Sequence, residues 1–97
     1  MRLRLLARAQ ADLPEAKAWL LREAPLSAEK DLGALLAAIE RLERHPRLGP
    51  VVRDPVLAAR GFRALAHGRY LAFYKVRRAT VFVHRVLHQR RSWAKLV

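Results

Sequence analysis

The stretch GFRALAHGRYLAFYKVRRATVFVHRVLHQRR, residues 61–91, decides how this chain is read. Three short apolar and aromatic runs are separated by His67-Gly68 and by Arg77-Arg78-Ala79, the punctuation of a small antiparallel meander. The spacing predicts strands over about 60–66, 69–76 and 80–87. The middle run, Tyr70-Leu71-Ala72-Phe73-Tyr74, is apolar on both faces, as a central strand is. Two of its three aromatic residues, Tyr70, Phe73 and Tyr74, are expected in the core.

Working outward, this stretch also holds most of the charge imbalance. Residues 1–48 carry 9 Lys and Arg against 7 Asp and Glu, a net of +2. Residues 49–97 carry 11 against the single acid Asp54, a net of +10. Such a balance costs stability through self-repulsion and points to an anionic partner. Arginine outnumbers lysine 16 to 4, which suits two-point contacts with phosphate or carboxylate. Codon bias accounts for part of that excess but not for the loss of acids after Asp54.

Upstream, Arg2-Leu3-Arg4-Leu5 alternates with period two and predicts a short strand over residues 2–6. Asp12, with Pro14 and Glu15 after it, has the look of a helix start, giving a helix to about Glu23 with Leu13, Ala16 and Leu20 on one face. Ala24-Pro25 ends it. Ser27 then caps a second helix to about Arg44, whose Leu32, Leu35, Leu36, Ile39 and Leu42 keep helical spacing until His45-Pro46. So short a link predicts an antiparallel helical hairpin. Residues 47–59 read as a loop and 88–97 as a basic tail. The expected architecture is α+β: a short N-terminal strand and a helical hairpin packed on one face of a small antiparallel sheet. The other sheet face is expected to be partly open. One domain is expected over residues 1–97.

Composition excludes several classes. A hydrophobic fraction of 53% is too high for a disordered polycation. No apolar run approaches a membrane span or the core of a signal peptide, so a cytoplasmic protein is expected. Without cysteine there is neither a disulfide framework nor a thiolate metal site. His84 and His88, four apart on a strand, would share a face, but a metal needs a third ligand and this half offers only Asp54. No metal or cofactor is expected. His67 reads as a turn residue and His84 as part of the solvated face.

The order Gly61-Phe62-Arg63, then Gly68-Arg69-Tyr70 with Tyr74 four residues on, then a hydrophobic strand running into Arg85-Val86-Leu87-His88-Gln89-Arg90-Arg91, resembles the toxin component of bacterial toxin–antitoxin modules. The likeness is to the RelE/ParE superfamily, and the ending is most similar to the ParE branch. Ala11-Asp12-Leu13 opening the first helix and Leu42, Pro46 and Gly49 closing the second extend it over about the whole chain. The family pattern starts the first helix nearer Ala9.

The resemblance implies a RelE/ParE-like fold and a binder rather than an enzyme. Toxins of the ParE type act on DNA gyrase and are neutralised by an acidic, ParD-like antitoxin in a hetero-oligomer. The residues expected to meet the target are Arg85, His88, Arg90, Arg91 and Trp93, although Trp93 is also of a size to fold back onto the core. Those expected to meet the antitoxin are Trp19, Arg22, Arg63, Arg69 and Tyr74. The alternative is a RelE-like ribosome-dependent, metal-independent ribonuclease, for which Arg63, His67 and His88 would be the catalytic residues. Leu71 and Gln89 stand where that branch carries arginines, and the tail has no tyrosine. A third reading is a basic nucleic-acid-binding module using the sheet.

Overall fold

The computed structural model describes residues 1–97. The chain runs β1 (Arg2–Leu5), α1 (Ala7–Glu23), α2 (Ala28–Glu40), a 3-10 turn (Arg41–Glu43), α3 (Pro55–Ala59), β2 (Arg63–His67), β3 (Tyr70–Arg77), β4 (Thr80–His88) and α4 (Trp93–Leu96). The four strands form one sheet in the order β1-β4-β3-β2. The meander β2-β3-β4 is antiparallel, as its punctuation predicts, but β1 pairs with β4 in parallel, so the sheet is mixed. A parallel pair needs a long crossover, and everything from α1 to β3 supplies it.

One sheet face carries α1 and α2. Leu65, Tyr70, Ala72, Tyr74, Val81, Val83 and Val86 meet Ala9, Ala16, Leu20, Leu35, Ala38 and Ile39 there. The start of α1 differs from its reading as a sequence. The helix begins at Ala7, and Asp12 is not a cap but a buried residue in its second turn, with Ala16 and Leu20 following at four-residue intervals. Pro14 sits inside the helix on its solvent side, where Gln10, whose carbonyl it leaves without an N–H, is also exposed. Ser27 does not cap α2 either; its hydroxyl donates to Asp31 at 2.9 Å.

The outer face, expected to be partly open, is covered over one half. There Val52, Leu57, Phe62, Phe73 and Leu87 make a second small core, flanked by Leu71, Trp93 and Leu96. The helix α3 lies within the segment expected to be a loop, and Asp54 explains it: its carboxylate accepts from the Val56 and Leu57 N–H groups, both at 3.0 Å. The one acid of the basic half is thus a helix cap.

A bulge falls on β4, where Tyr74 pairs with Val83 and Phe73 pairs with Arg85. His84 is the extra residue, so the side-chain alternation breaks there. His84 and His88 therefore do not share a face. His84 packs edge-on against Phe62, with ring centroids 5.0 Å apart, and His88 packs against Trp19 of α1 at 4.7 Å.

Candidate functional site: an aromatic and arginine surface around Trp19

The first turn of the meander, Gly68-Arg69, is held by the end of β4. The Gln89 N–H donates to the Arg69 carbonyl and the Gln89 side-chain amide to the Gly68 carbonyl, both at 2.8 Å. Gly68 has φ +58°, which a glycine adopts without strain. This clamp brings three residues into one row across the sheet, because His67 pairs with Tyr70 and Tyr70 pairs with His88. The row faces the helices, and Trp19 lies over it.

Trp19 meets the Tyr70 ring edge-on at 6.3 Å, and the Arg69 guanidinium stands 5.4 Å from its ring centroid. Such a stack leaves the cation on an aromatic surface rather than in an ion pair. Tyr70 and His88 are themselves edge-to-face at 5.4 Å. Burial lowers the His88 pKa, and the Arg90 and Arg69 charges lower it further. Its Nδ1 accepts from the Arg90 N–H at 3.1 Å, so the neutral ring carries its proton on Nε2, which is buried without a partner. Burial raises the Tyr70 pKa against the opposing pull of Arg22, so its phenol stays protonated.

Two clefts of about 310 Å³ flank Trp19. One runs between the helical hairpin and the β2–β3 turn, lined by Leu20, Ala24, Leu35, His67 and Tyr70. The other carries Glu15, Arg22, His88 and Arg91. A smaller hollow of about 260 Å³ lies among Trp19, Arg69, His88, Gln89 and Arg90. The only ion pair of these arginines is a long, exposed one, Arg91 to Glu15 at 3.8 Å. The surface is thus an apolar slot rimmed by arginines.

The residues read from the sequence sort in an unexpected way. Trp19, Arg22 and Arg69, assigned to the antitoxin, and His88, Arg90 and Arg91, assigned to the target, come together here. The other four have work inside the fold. Tyr74 is fully buried; its hydroxyl donates to the Pro46 carbonyl at 2.7 Å and accepts from the Gly49 N–H at 2.9 Å. It is therefore no surface contact. Arg63 donates to the Gly49 carbonyl at 2.8 Å. Trp93 lies on the outer face, its ring 5.2 Å from Phe73.

Arg85 is bound on two sides. Nε and Nη2 donate to the two oxygens of Asp12 at 2.8 and 2.9 Å, and Nη1 donates to the Leu96 carbonyl at 2.8 Å. The hydrogen bonds that Arg85 donates to Asp12 raise its pKa still further. Asp12 also accepts from the Val86 N–H at 2.9 Å, beyond the point where β1 stops pairing with β4. It fills the edge that β1 leaves vacant. The sequence carried one signal of this: an acid exactly on the apolar spacing of α1.

For the ribonuclease alternative, Arg63 and His67 stand at opposite ends of β2, about 13 Å apart along the strand. Leu71 lies in the outer apolar cluster beside Trp93. The three residues of that alternative are not gathered at one point.

A family model described as the ParE toxin of the type II toxin–antitoxin system parDE matches residues 3–93. Among solved structures, the chromosomal ParDE toxin–antitoxin system from P. aeruginosa has the same fold, with a TM-score of 0.73. The identity is 19%, over 91% of this chain and 95% of that one. No curated protein matches. By the extent of the family match, the chain belongs to the ParE toxins of type II toxin–antitoxin systems.

Proposed function

We propose that this chain inhibits DNA gyrase by binding it, and that an acidic antitoxin neutralises it by covering the Trp19 surface. The observation that carries this reading is the gathering of Trp19, Arg22, Arg69, His88, Arg90 and Arg91 around one apolar slot. A partner segment suited to it presents an apolar side chain to the slot and carboxylates to the rim, and charge steers the encounter. Gyrase and antitoxin then compete for overlapping residues, so neutralisation is exclusion. No covalent step is required of the toxin.

The test is supercoiling of relaxed plasmid by purified gyrase, with this protein titrated in and linear DNA scored. Inhibition with accumulating linear product is expected, weakened at least tenfold by Arg90→Ala with Arg91→Ala. Folded protein that leaves supercoiling untouched overturns the reading, and messenger RNA cleavage on ribosomes becomes the assay to run.

A further inference from the structure

The outer face of the sheet has a second half, beyond the small core under α3 and α4. Leu3, Leu5, Val76, Val81 and Val83 point to the helices, so their neighbours Arg2, Arg4, Lys75, Arg77, Thr80 and Phe82 point away from them. The register aligns these in two rows across three strands. Arg2 pairs with Thr80, which pairs with Arg77; Arg4 pairs with Phe82, which pairs with Lys75. Arg60 closes the patch, stacked 5.4 Å from the Phe62 ring, whose other cation is Lys75 at 4.4 Å. His84 meets the same ring at 5.0 Å.

Five cations thus surround two neutral side chains, Thr80 and Phe82, and no ion pair in the chain involves any of the five. Phe82 is half-buried and belongs to neither core cluster. The lowered pKa of Lys75 comes from burial and then from Arg77 and Arg60, and that of His84 from burial and then from Lys75, Arg60 and Arg77. No carboxylate offsets either.

We propose that this half of the outer sheet face binds single-stranded nucleic acid, with phosphates on Arg2, Arg4, Lys75, Arg77 and Arg60 and a base stacked on Phe82. Cations two apart on one strand are separated by about 6.6 Å. That is about twice the 3.4 Å rise per nucleotide of a stacked duplex strand, the spacing of a strand pulled out of its stack. Flat sheet faces with an aromatic between cations bind unstacked strands in this manner. An acidic protein would match the charges but leave Phe82 without a role. The patch lies on the opposite face from Trp19 and does not depend on gyrase as target.

The experiment is fluorescence anisotropy of a labelled mixed-sequence oligonucleotide, single-stranded or annealed, titrated with the full chain. Affinity for the single strand is expected to fall about a hundredfold between about 50 and about 200 mM salt, as five phosphate contacts require. Arg2→Gln, Arg4→Gln and Arg77→Gln together should flatten that salt slope by more than half. Phe82→Leu, with its fold checked by circular dichroism, should weaken the single strand about tenfold and the duplex hardly at all. Ultraviolet crosslinking of a 4-thiouridine oligonucleotide to the unaltered chain should mark the β4 peptide containing Phe82. Absence of binding at low salt overturns the proposal. So does equal affinity for the duplex, crosslinking confined to Trp19, or loss caused as fully by Arg90→Gln with Arg91→Gln.

Discussion

Tyr70 and Tyr74 lie four residues apart on β3, on the same helix-facing side, and the two ends of that strand are built differently. At the Tyr74 end, on the side facing the helices, the tyrosine hydroxyl and the neighbouring Arg63 are both fastened. The hydroxyl ties the chain at Pro46 and Gly49, and Arg63 ties the same glycine from β2. Gly49 fits so tightly that an added Cβ would stand 2.7 Å from the Ala64 carbonyl oxygen. At the Tyr70 end the aromatic rings of Trp19, Tyr70 and His88 border open clefts, and the arginines around them make only the long, exposed ion pair of Arg91 with Glu15. On the helix-facing side of the sheet, the same residue types close one end and leave the other open.

The sharpest way to break this comparison is to remove the pair that divides the two ends. Asp12→Ala leaves the Arg85 guanidinium and the Val86 N–H buried without their acceptor. It should cost about 3–5 kcal/mol in urea unfolding. A loss below about 1 kcal/mol would mean that Arg85 finds solvent and that the divide is soft.

A smaller effect tests the two tyrosines directly. Tyr74→Phe strips the Gly49 N–H of its buried acceptor and should cost about 1–3 kcal/mol. Tyr70→Phe removes a hydroxyl at the edge of the clefts and should stay within about 0.5 kcal/mol. Equal losses at the two positions would erase the distinction between fastened and free ends.

Acid should loosen the fold through two partly buried histidines, of which only His88 belongs to the open end. His88, facing Arg90 and Arg69, and His84, facing Lys75, Arg60 and Arg77, both have lowered pKa values in the folded chain. Below the ordinary histidine value of about 6.5 the unfolded chain binds more protons. Stability is therefore full above that pH and falls as the pH drops through it toward the folded-state values. A melting temperature lower at pH 5 than at pH 7.5, with the difference reduced in His88→Gln, is the expected result. A temperature that rises on acidification would contradict it.

The smallest effect belongs to the turn beyond Tyr74. Arg78 and Ala79 have φ +48° and +60°, the mirror-image hairpin turn that asparagine and glycine adopt at least cost. Ala79→Gly should raise stability by up to about 1 kcal/mol. A loss would mean that the added backbone freedom of the unfolded chain outweighs the relieved strain.

Much of the fold was legible because its signals are local. Hairpin punctuation at His67-Gly68 and Arg77-Arg78-Ala79, and the leucine spacing of α2, report on neighbours in the chain. What was missed depends on partners far away. Asp12 has the credentials of a cap, and only β4, more than seventy positions on, makes it a buried ligand for Arg85. The parallel pairing of β1, the bulge at His84 and the helix α3 over the outer face are likewise products of packing. At the candidate site, the sequence reading divided Trp19 and the arginines between two surfaces, whereas the structure brings them around one. The placing of Trp19 from α1 over Tyr70 and His88 has no signature along the chain.

The guanidinium of Arg85 has a consequence of its own, because it holds α1 through Asp12 and α4 through Leu96 at once. Two segments that never touch in sequence thereby share one anchor. A partner that shifts α1 at Trp19 enough to loosen Asp12 would also loosen the hold on Leu96, and free energy linked in this way is reciprocal. Release of the C-terminal turn would change a ligand's affinity at Trp19 by the same factor that the ligand changes the turn's release. Order in Trp93–Leu96 would then report, through Arg85, on what the opposite face of the sheet holds.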